Sequence, residues 1–320
     1  MKAVAYVARR KAELIDWPDP ESPLGEGEIE GRTLVSLISP GTELNWGYDI
    51  DRTEPGVGGY AAIVEAEHVG AGVADVKPGQ RLFCMGPHTS RQRAARQEMI
   101  LVPEGLLPEI ALFCRLMGVS WSTLTTTAAR PPARVLVTGL GIVGNLASQI
   151  FQSAGYEVTS VDPVESRRDA MRRCGVNDVR ANLTEADKDY ALAVDCSGHE
   201  AAVLSACKAV RKGGEVVLVG VPWKKKTDIF AQEVLHTVFF NYVVLRSGWE
   251  WELPLHDQEF ARSSIFTNLA GALKWLGEGR VKEEGLYRTI SPAQCQQAYD
   301  DLMHQRGEAL SVVFDWGKIR

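Results

Sequence analysis

The stretch Gly139-Leu140-Gly141-Ile142-Val143-Gly144 constrains this chain more than any other, because of what stands on either side of it. Arg134–Thr138 reads as a buried strand, and residues 143–154 carry apolar residues at helical spacing. A strand that turns into a helix through glycines at this spacing has a specific use for each one. Gly139 permits the tight turn, Gly141 lets the main chain approach a phosphate, and Gly144 lets helix and strand lie close together. The N–H groups of the first helical turn, at Ile142 and Val143, then face outward toward an anion.

The next apolar run, Glu157–Val161, ends in Asp162, 18 positions past the last glycine. A carboxylate at that strand tip accepts hydrogen bonds from the ribose hydroxyls of a dinucleotide and repels a 2′-phosphate. The placement predicts NAD in preference to NADP. Arg167 and Arg168 pull the other way, since either side chain can swing toward a 2′-phosphate.

Around this motif, beyond about residue 120, apolar runs alternate with amphipathic ones. Strands are expected at 134–138, 157–161, 192–196 and 215–219, and helices at 143–154, 165–174 and 200–210, the last stopped by Gly213-Gly214. That alternation predicts an α/β class with a doubly wound parallel sheet. Residues 1–108 look different: short apolar runs such as 33–38, 61–64 and 80–84 separated by Pro, Gly and Asp turns predict a mostly β domain. The C-terminal segment predicts helices at 265–276 and 292–303 and a closing strand at 310–316. The expected division is 1–120 with 247–320 for the β-rich, substrate-binding domain and 121–246 for the dinucleotide-binding domain.

With 320 residues, 45% hydrophobic and 24% charged, the chain has the composition of an ordinary globular protein of two domains. A formal net charge of −6 argues against nucleic acid or an anionic membrane as partner, because either needs a basic face. A small molecule is the expected ligand. The charged N-terminus lacks a signal-peptide core, and no uncharged apolar run reaches the roughly 20 residues of a membrane helix, so a cytoplasmic protein is expected. Six dispersed cysteines without a C-x-x-C pair fit a reducing compartment.

Taken together, the β-rich first half, the Gly139–Gly141–Gly144 fingerprint, the segment Gly213-Gly214 to Gly220 and the short C-terminal return resemble the medium-chain dehydrogenase/reductase superfamily of alcohol dehydrogenase type. The resemblance implies a Rossmann domain and a GroES-like domain, and cofactor contacts from Gly220, Val221 and Ser247. It also implies where zinc would be held in the metal-bearing members, and there this chain departs from them. The early ligand loop reads Ser39-Pro40-Gly41-Thr42-Glu43, with Pro40 at the Cys position. The next reads Gly59-Tyr60-Ala61, with Tyr60 at the His position, and the third ligand falls on Val119. No zinc is therefore expected, and the Cys84 and His88 pair is too small a set to make a site. The Ser39–Glu43 loop and the Gly59-Tyr60 pair look closest to zinc-free, bacteriochlorophyllide dehydrogenase-like members.

Without a metal some other group must manage the hydroxyl proton. Tyr60 is the leading candidate, since a phenol both donates and accepts. Thr42 would relay the proton, Glu43 would orient the relay, and His88 is a second acid/base option. Trp46, Tyr48, Trp121 and Trp249 fall in segments expected to border a cleft. The leading expectation is an NAD-dependent secondary-alcohol or polyol dehydrogenase. A quinone- or enoyl-reductase-like enzyme using NADPH and an inactive NAD(H)-binding protein are the alternatives. The apolar run 238–244 suits an edge-strand interface of a homodimer.

Overall fold

The computed structural model describes residues 1–319, which divide into two compact units: Met1–Arg115 with the C-terminal stretch from Gly285, and Leu116–Glu284. The second unit holds a six-stranded sheet ordered Val179–Arg180, Glu157–Val161, Arg134–Thr138, Tyr190–Asp195, Val210–Leu218, Val244–Ser247, with every pairing parallel. Val135, Leu136, Val137, Leu192, Ala193 and Val194 are fully buried, as strands covered on both faces must be. From Arg134–Thr138 the chain winds outward through two strands, then crosses back to Tyr190–Asp195 and winds the other way. Its topological switch point lies between those two central strands. This is the Rossmann-like doubly wound sheet expected from the sequence.

Several expectations are corrected here. Helix Glu200–Ala209 does not stop at Gly213-Gly214. The strand begins at Val210, and the glycines lie inside it, opposite a register shift between Tyr190 and Leu192 that takes up the extra residues. The run 238–244 is not a strand: residues Ala231–Asn241 form a helix, opened by the Glu233 carboxylate accepting the Phe230 N–H and closed by Tyr242 in the left-handed region (φ 53°). Only Val244 onward pairs in the sheet. Residues 247–284 belong with the Rossmann unit and not with the β-rich one. Helix Ile265–Gly277 sets Leu269 close to Gly118 and Trp275 on Trp121 (4.5 Å between rings), and Lys282 exchanges two hydrogen bonds with Gln149. Trp121, expected at a cleft, is thus a core residue.

In the first unit, one sheet runs in the order Tyr287–Ile290, Ser311–Asp315, Glu28–Leu37, Ala62–Val69, Arg81–Cys84, Met99–Leu101, and Arg91–Ala95 also pairs with Glu28–Leu37. A smaller sheet joins Lys11–Asp16, Lys2–Ala8 and Gly56–Val57. Gly31 sits where a side chain would strike the Glu65 carbonyl at 2.0 Å, at a register shift between Glu28–Leu37 and Ala62–Val69. Ser39–Glu43, expected as a loop, is a short helical turn (Pro40–Thr42) that runs into a wider turn, Glu43–Tyr48. Tyr48, expected at a cleft, is fully buried and stacks on Tyr299 (5.1 Å, 19°) beside Tyr6, because its hydroxyl finds Asp300 at 2.7 Å. Trp46 and Trp249 are exposed. Among the described residues no helix is long and apolar enough to cross a membrane.

Candidate active site

Every cofactor residue expected from the sequence lies at the carboxyl end of a strand of the parallel sheet or in the loop or helix that follows it. Gly139 adopts φ +81°, and a Cβ there would lie 2.7 Å from Ser197, in the loop after the neighbouring central strand. A Cβ on Gly144 would lie 1.8 Å from the Gly139 carbonyl oxygen. Gly141 is different: its φ is −62°, and a Cβ would meet nothing within 4 Å. It opens helix Ile142–Ser153 with no side-chain cap, so the first-turn amides face open space. That open cradle at a helix N-terminus fits a dinucleotide pyrophosphate.

Asp162 is almost fully buried. Its carboxylate accepts the Leu140 N–H (2.7 Å) and the Val164 N–H (2.8 Å), with the Arg167 guanidinium at 3.4 Å. The side chain therefore ties the glycine loop to the second strand while keeping acceptor capacity, since a carboxylate offers about four lone-pair sites. Arg168 is turned back onto the Asp162 and Pro163 carbonyls, each at 2.8 Å.

Sequence reasoning missed the group next to this cradle. Asp195, fully buried at the end of Tyr190–Asp195, accepts from the hydroxyls of Thr138 (2.7 Å) and Ser197 (2.6 Å) and from the Gly198 N–H (3.1 Å). Burial pushes its carboxyl above the usual range, and these donors oppose the rise. Its own carbonyl accepts from Val219 and Gly220, so one residue ties three strand ends together. The signal was present: a lone Asp closing an apolar strand, followed by Ser197-Gly198. Gly220 has no room for a side chain beside Cys196 and Gly198, whereas Val221 is exposed. Ser247 ends the edge strand with its hydroxyl accepting the Trp249 N–H (3.1 Å).

The first unit brings Tyr60 and Thr42 together, as expected, around a residue the sequence reading did not select. The Tyr60 hydroxyl donates to Ser39 Oγ at 2.5 Å and lies 3.3 Å from Thr42 Oγ1. Burial raises its pKa, and the Arg115 guanidinium, 4.7 Å from the ring centre, opposes the rise. Arg115 was also missed, although it is the one charged residue in the run 110–129.

Glu43 and His88 lie a layer deeper. Glu43 accepts from the Ser39 N–H (2.7 Å), the hydroxyls of Tyr299 (2.6 Å) and Tyr6 (2.9 Å), and His88 Nε2 (3.1 Å). Burial by itself would raise its pKa. His88 and the other donors outweigh that, so the carboxylate is held below its ordinary value. His88 is wholly enclosed, with Nδ1 at 2.8 Å from Ser36 Oγ, which itself accepts the Trp316 indole N–H (2.9 Å). The expected loop acid/base is therefore an internal prop: a residue with no exposed atom, both ring nitrogens engaged, has no route to a substrate.

The positions that hold zinc in the metal-bearing members do not fit a metal here. Pro40 and Val119 have no side-chain donor atom, and Tyr60 offers a phenol whose pKa burial raises, in place of the imidazole that zinc takes. At the other pair, burial pushes the Cys84 thiol up to about 12, away from the thiolate a metal needs, and His88 is engaged by Ser36 and Glu43.

An open glycine loop at the switch point of a parallel sheet is the arrangement that dinucleotide-binding units present. The comparisons narrow the class. The family of zinc-binding dehydrogenases matches residues 143–249. An alcohol dehydrogenase of Geobacillus stearothermophilus is 29% identical over 225 residues, a match spanning 65% of this chain and 64% of that relative. Galactitol-1-phosphate dehydrogenase of Escherichia coli superposes with a TM-score of 0.82 at 16% identity, covering 98% of this chain and 100% of the other. Acetophenone reductase of Geotrichum candidum, solved with NAD, gives 0.80 at 18% identity over 99% and 98%. The fold is thus that of a Rossmann unit with a GroES-like unit. In sequence the chain is similar to zinc-type alcohol dehydrogenases over part of its length, and the matched family model spans about a third of it.

Proposed function

We propose that this chain is an NAD(H)-dependent oxidoreductase that interconverts a secondary alcohol and a ketone without zinc. The observation that carries the reading is Asp162, fixed by the Leu140 N–H at the tip of the second strand beside an open glycine cradle. The cradle takes the pyrophosphate, and the carboxylate takes the ribose hydroxyls and disfavours a 2′-phosphate. The relatives named for alcohols, sorbitol and galactitol 1-phosphate, and the reductase named for a ketone, support a polyol, sugar or cyclic alcohol as substrate. The Ser39–Glu43 turn and Tyr60 support a zinc-free, bacteriochlorophyllide dehydrogenase-like branch, and a cytoplasmic setting accompanies that reading.

The nicotinamide, when bound, supplies or accepts the hydride. In the reducing direction Tyr60 gives its hydroxyl proton to the carbonyl oxygen and regains one through Ser39 Oγ and Thr42 Oγ1. In the oxidising direction the same path runs backward. Glu43 touches no reactant in this scheme: it holds the Ser39 amide, and so the turn against which Tyr60 rests. Helix Ala231–Asn241 exposes Leu235, Phe239 and Phe240 beside the edge strand Val244–Ser247, which supports a homodimer through that face. Light scattering on wild type and Phe239→Asp tests it, and a wild-type monomer at micromolar concentration removes it.

The central test titrates chelator-treated protein with NADH and NADPH by tryptophan fluorescence, then assays turnover on secondary alcohols. The expected result is NADPH binding at least tenfold weaker, about 1.4 kcal/mol, with turnover that survives chelation and is lost in Tyr60→Phe. Arg167, beside Asp162, favours the second reading of an NADPH-using quinone or enoyl reductase. Equal or reversed preference moves that reading to first place. Tight NADH binding with no turnover leaves a cofactor-binding protein that is not an enzyme.

A further inference from the structure

A buried carboxylate is costly unless its oxygens are answered. Asp195 is answered by neutral donors: Oδ1 accepts from the hydroxyls of Thr138 (2.7 Å) and Ser197 (2.6 Å) and from the Ser197 N–H (3.3 Å), and Oδ2 accepts from the Gly198 N–H (3.1 Å). Among the described residues no cationic side chain forms an ion pair with it, and burial raises its pKa. Two of its donors are main-chain amides, which cannot reverse. The Ser197 hydroxyl accepts from the His199 N–H (3.1 Å), which leaves its own proton for Asp195. The position therefore calls for a pure acceptor.

These donors belong to the segments around the glycine loop. Thr138 immediately precedes Gly139, and Gly139 passes so close to Ser197 that a Cβ would lie 2.7 Å from its main chain. Gly198 in turn meets the following loop, where a Cβ would lie 2.4 Å from the Val221 carbonyl oxygen. The Ser197 carbonyl accepts from Lys226 Nζ (3.1 Å), and the Asp195 carbonyl accepts from the Val219 N–H (2.9 Å) and the Gly220 N–H (2.7 Å). One residue thus sets the spacing of three loops at the carboxyl ends of three neighbouring strands.

We propose that Asp195 is the positioning residue of the dinucleotide site: its carboxylate locks Thr138 to Ser197 and Gly198, and so holds the glycine loop at the distance from the next two loops that the cofactor requires. The inference rests on the reading of the glycine loop as a dinucleotide site and goes beyond it, naming a fully buried residue that acts on the cofactor only through its neighbours. The sign of its effect separates this role from a passive one. A pyrophosphate brings negative charge to the loop, and an anion buried beside Thr138 repels it. If Asp195 contributed its charge alone, removing that charge would tighten NADH binding. If it contributes the lock, removal weakens binding in spite of the relieved repulsion.

The test titrates the full chain with NADH by tryptophan fluorescence, well below the melting temperature of each variant. Asp195→Asn should bind at least about tenfold more weakly, because the amide turns a donor toward an N–H. Thr138→Val keeps the charge and removes one donor, and should weaken binding about threefold or more. Thr138→Ser restores the hydroxyl and should bind as wild type does. A merely structural role would lower the melting temperature of Asp195→Asn and Thr138→Val and leave the affinity of the folded protein unmoved. Unchanged or tighter NADH binding in folded Asp195→Asn overturns the proposal. If that variant does not fold, unchanged affinity in Thr138→Val overturns it. Wild type that binds neither NADH nor NADPH removes the reading of the glycine loop and the inference with it, whereas wild-type binding that the variants leave unmoved removes the inference alone.

Discussion

The glycine loop of the Rossmann unit and the Ser39–Glu43 turn of the β-rich unit are each held in a fixed shape, by opposite means. In the loop the shape depends on main chain: three glycines within six consecutive residues set it, two of them at places where a Cβ would strike a neighbour. In the turn the shape depends on side chains from distant parts of the chain. Tyr6, Ser36, Ser39, Thr42, Glu43, Tyr60, His88, Arg115, Tyr299 and Trp316 are joined by hydrogen bonds or ring contacts. The first device fails by steric intrusion and fails locally. The second fails when one buried acceptor stops answering its donors.

The largest effect should come from adding a single methyl in the loop, and its size should depend on which glycine receives it. Gly144→Ala puts a Cβ 1.8 Å from the Gly139 oxygen, a clash that only backbone movement relieves. We expect a loss of about 3 kcal/mol or more and NADH binding weakened more than about a hundredfold, about 2.7 kcal/mol. Gly141→Ala meets nothing within 4 Å and has an ordinary φ, so thermal stability should stay near wild type. Its methyl would occupy the space proposed for the pyrophosphate, and NADH affinity should still fall at least about tenfold, about 1.4 kcal/mol. Thermal melts and fluorescence titration separate the two. A Gly141→Ala protein that binds NADH normally would break the comparison at its root, since the open cradle would then have no ligand to exclude.

That contrast also explains what was legible in the sequence. The strands at 134–138 and 157–161, the glycine loop and the Asp162 tip could be read because each depends on neighbours a few residues away. Helix Ala231–Asn241 was misread as strand because its apolar residues lie on an exposed face as well as an inner one, which hides the helical period. Residues 247–284 were given to the wrong unit because their attachment runs through contacts between residues far apart in the chain, such as Trp275 on Trp121 and Lys282 on Gln149, that no local pattern announces. In the turn, Tyr60 and Thr42 were found from the resemblance, while Ser39, their nearest partner, was not. Glu43 was selected to orient the relay, the part proposed for it, whereas His88 was selected as an acid/base and is enclosed. Arg115 was overlooked because a lone charge in an apolar helix reads as noise until its partner ring is placed beside it.

Glu43→Gln is the smaller test and the sharper one for the side-chain device. An amide keeps the shape of the carboxylate but turns one acceptor into a donor, so either the Ser39 N–H loses its acceptor or the phenols and His88 Nε2 must reverse their hydrogen bonds. We expect about 2 kcal/mol of lost stability at pH 7. The pH dependence has a definite sign. Glu43 is held below its ordinary pKa in the folded protein, so its contribution is fully present above the unfolded value, about 4.3, and is lost as pH falls through the lower folded value. The gap between wild type and Glu43→Gln, measured by urea unfolding, should be constant above about pH 5 and shrink below about pH 4. A gap that widens in acid, or none at pH 7, would mean that the folded protein keeps Glu43 protonated. The ordering of the Ser39 turn would then rest on a neutral hydrogen bond, and the difference between the two regions would reduce to one of chain distance.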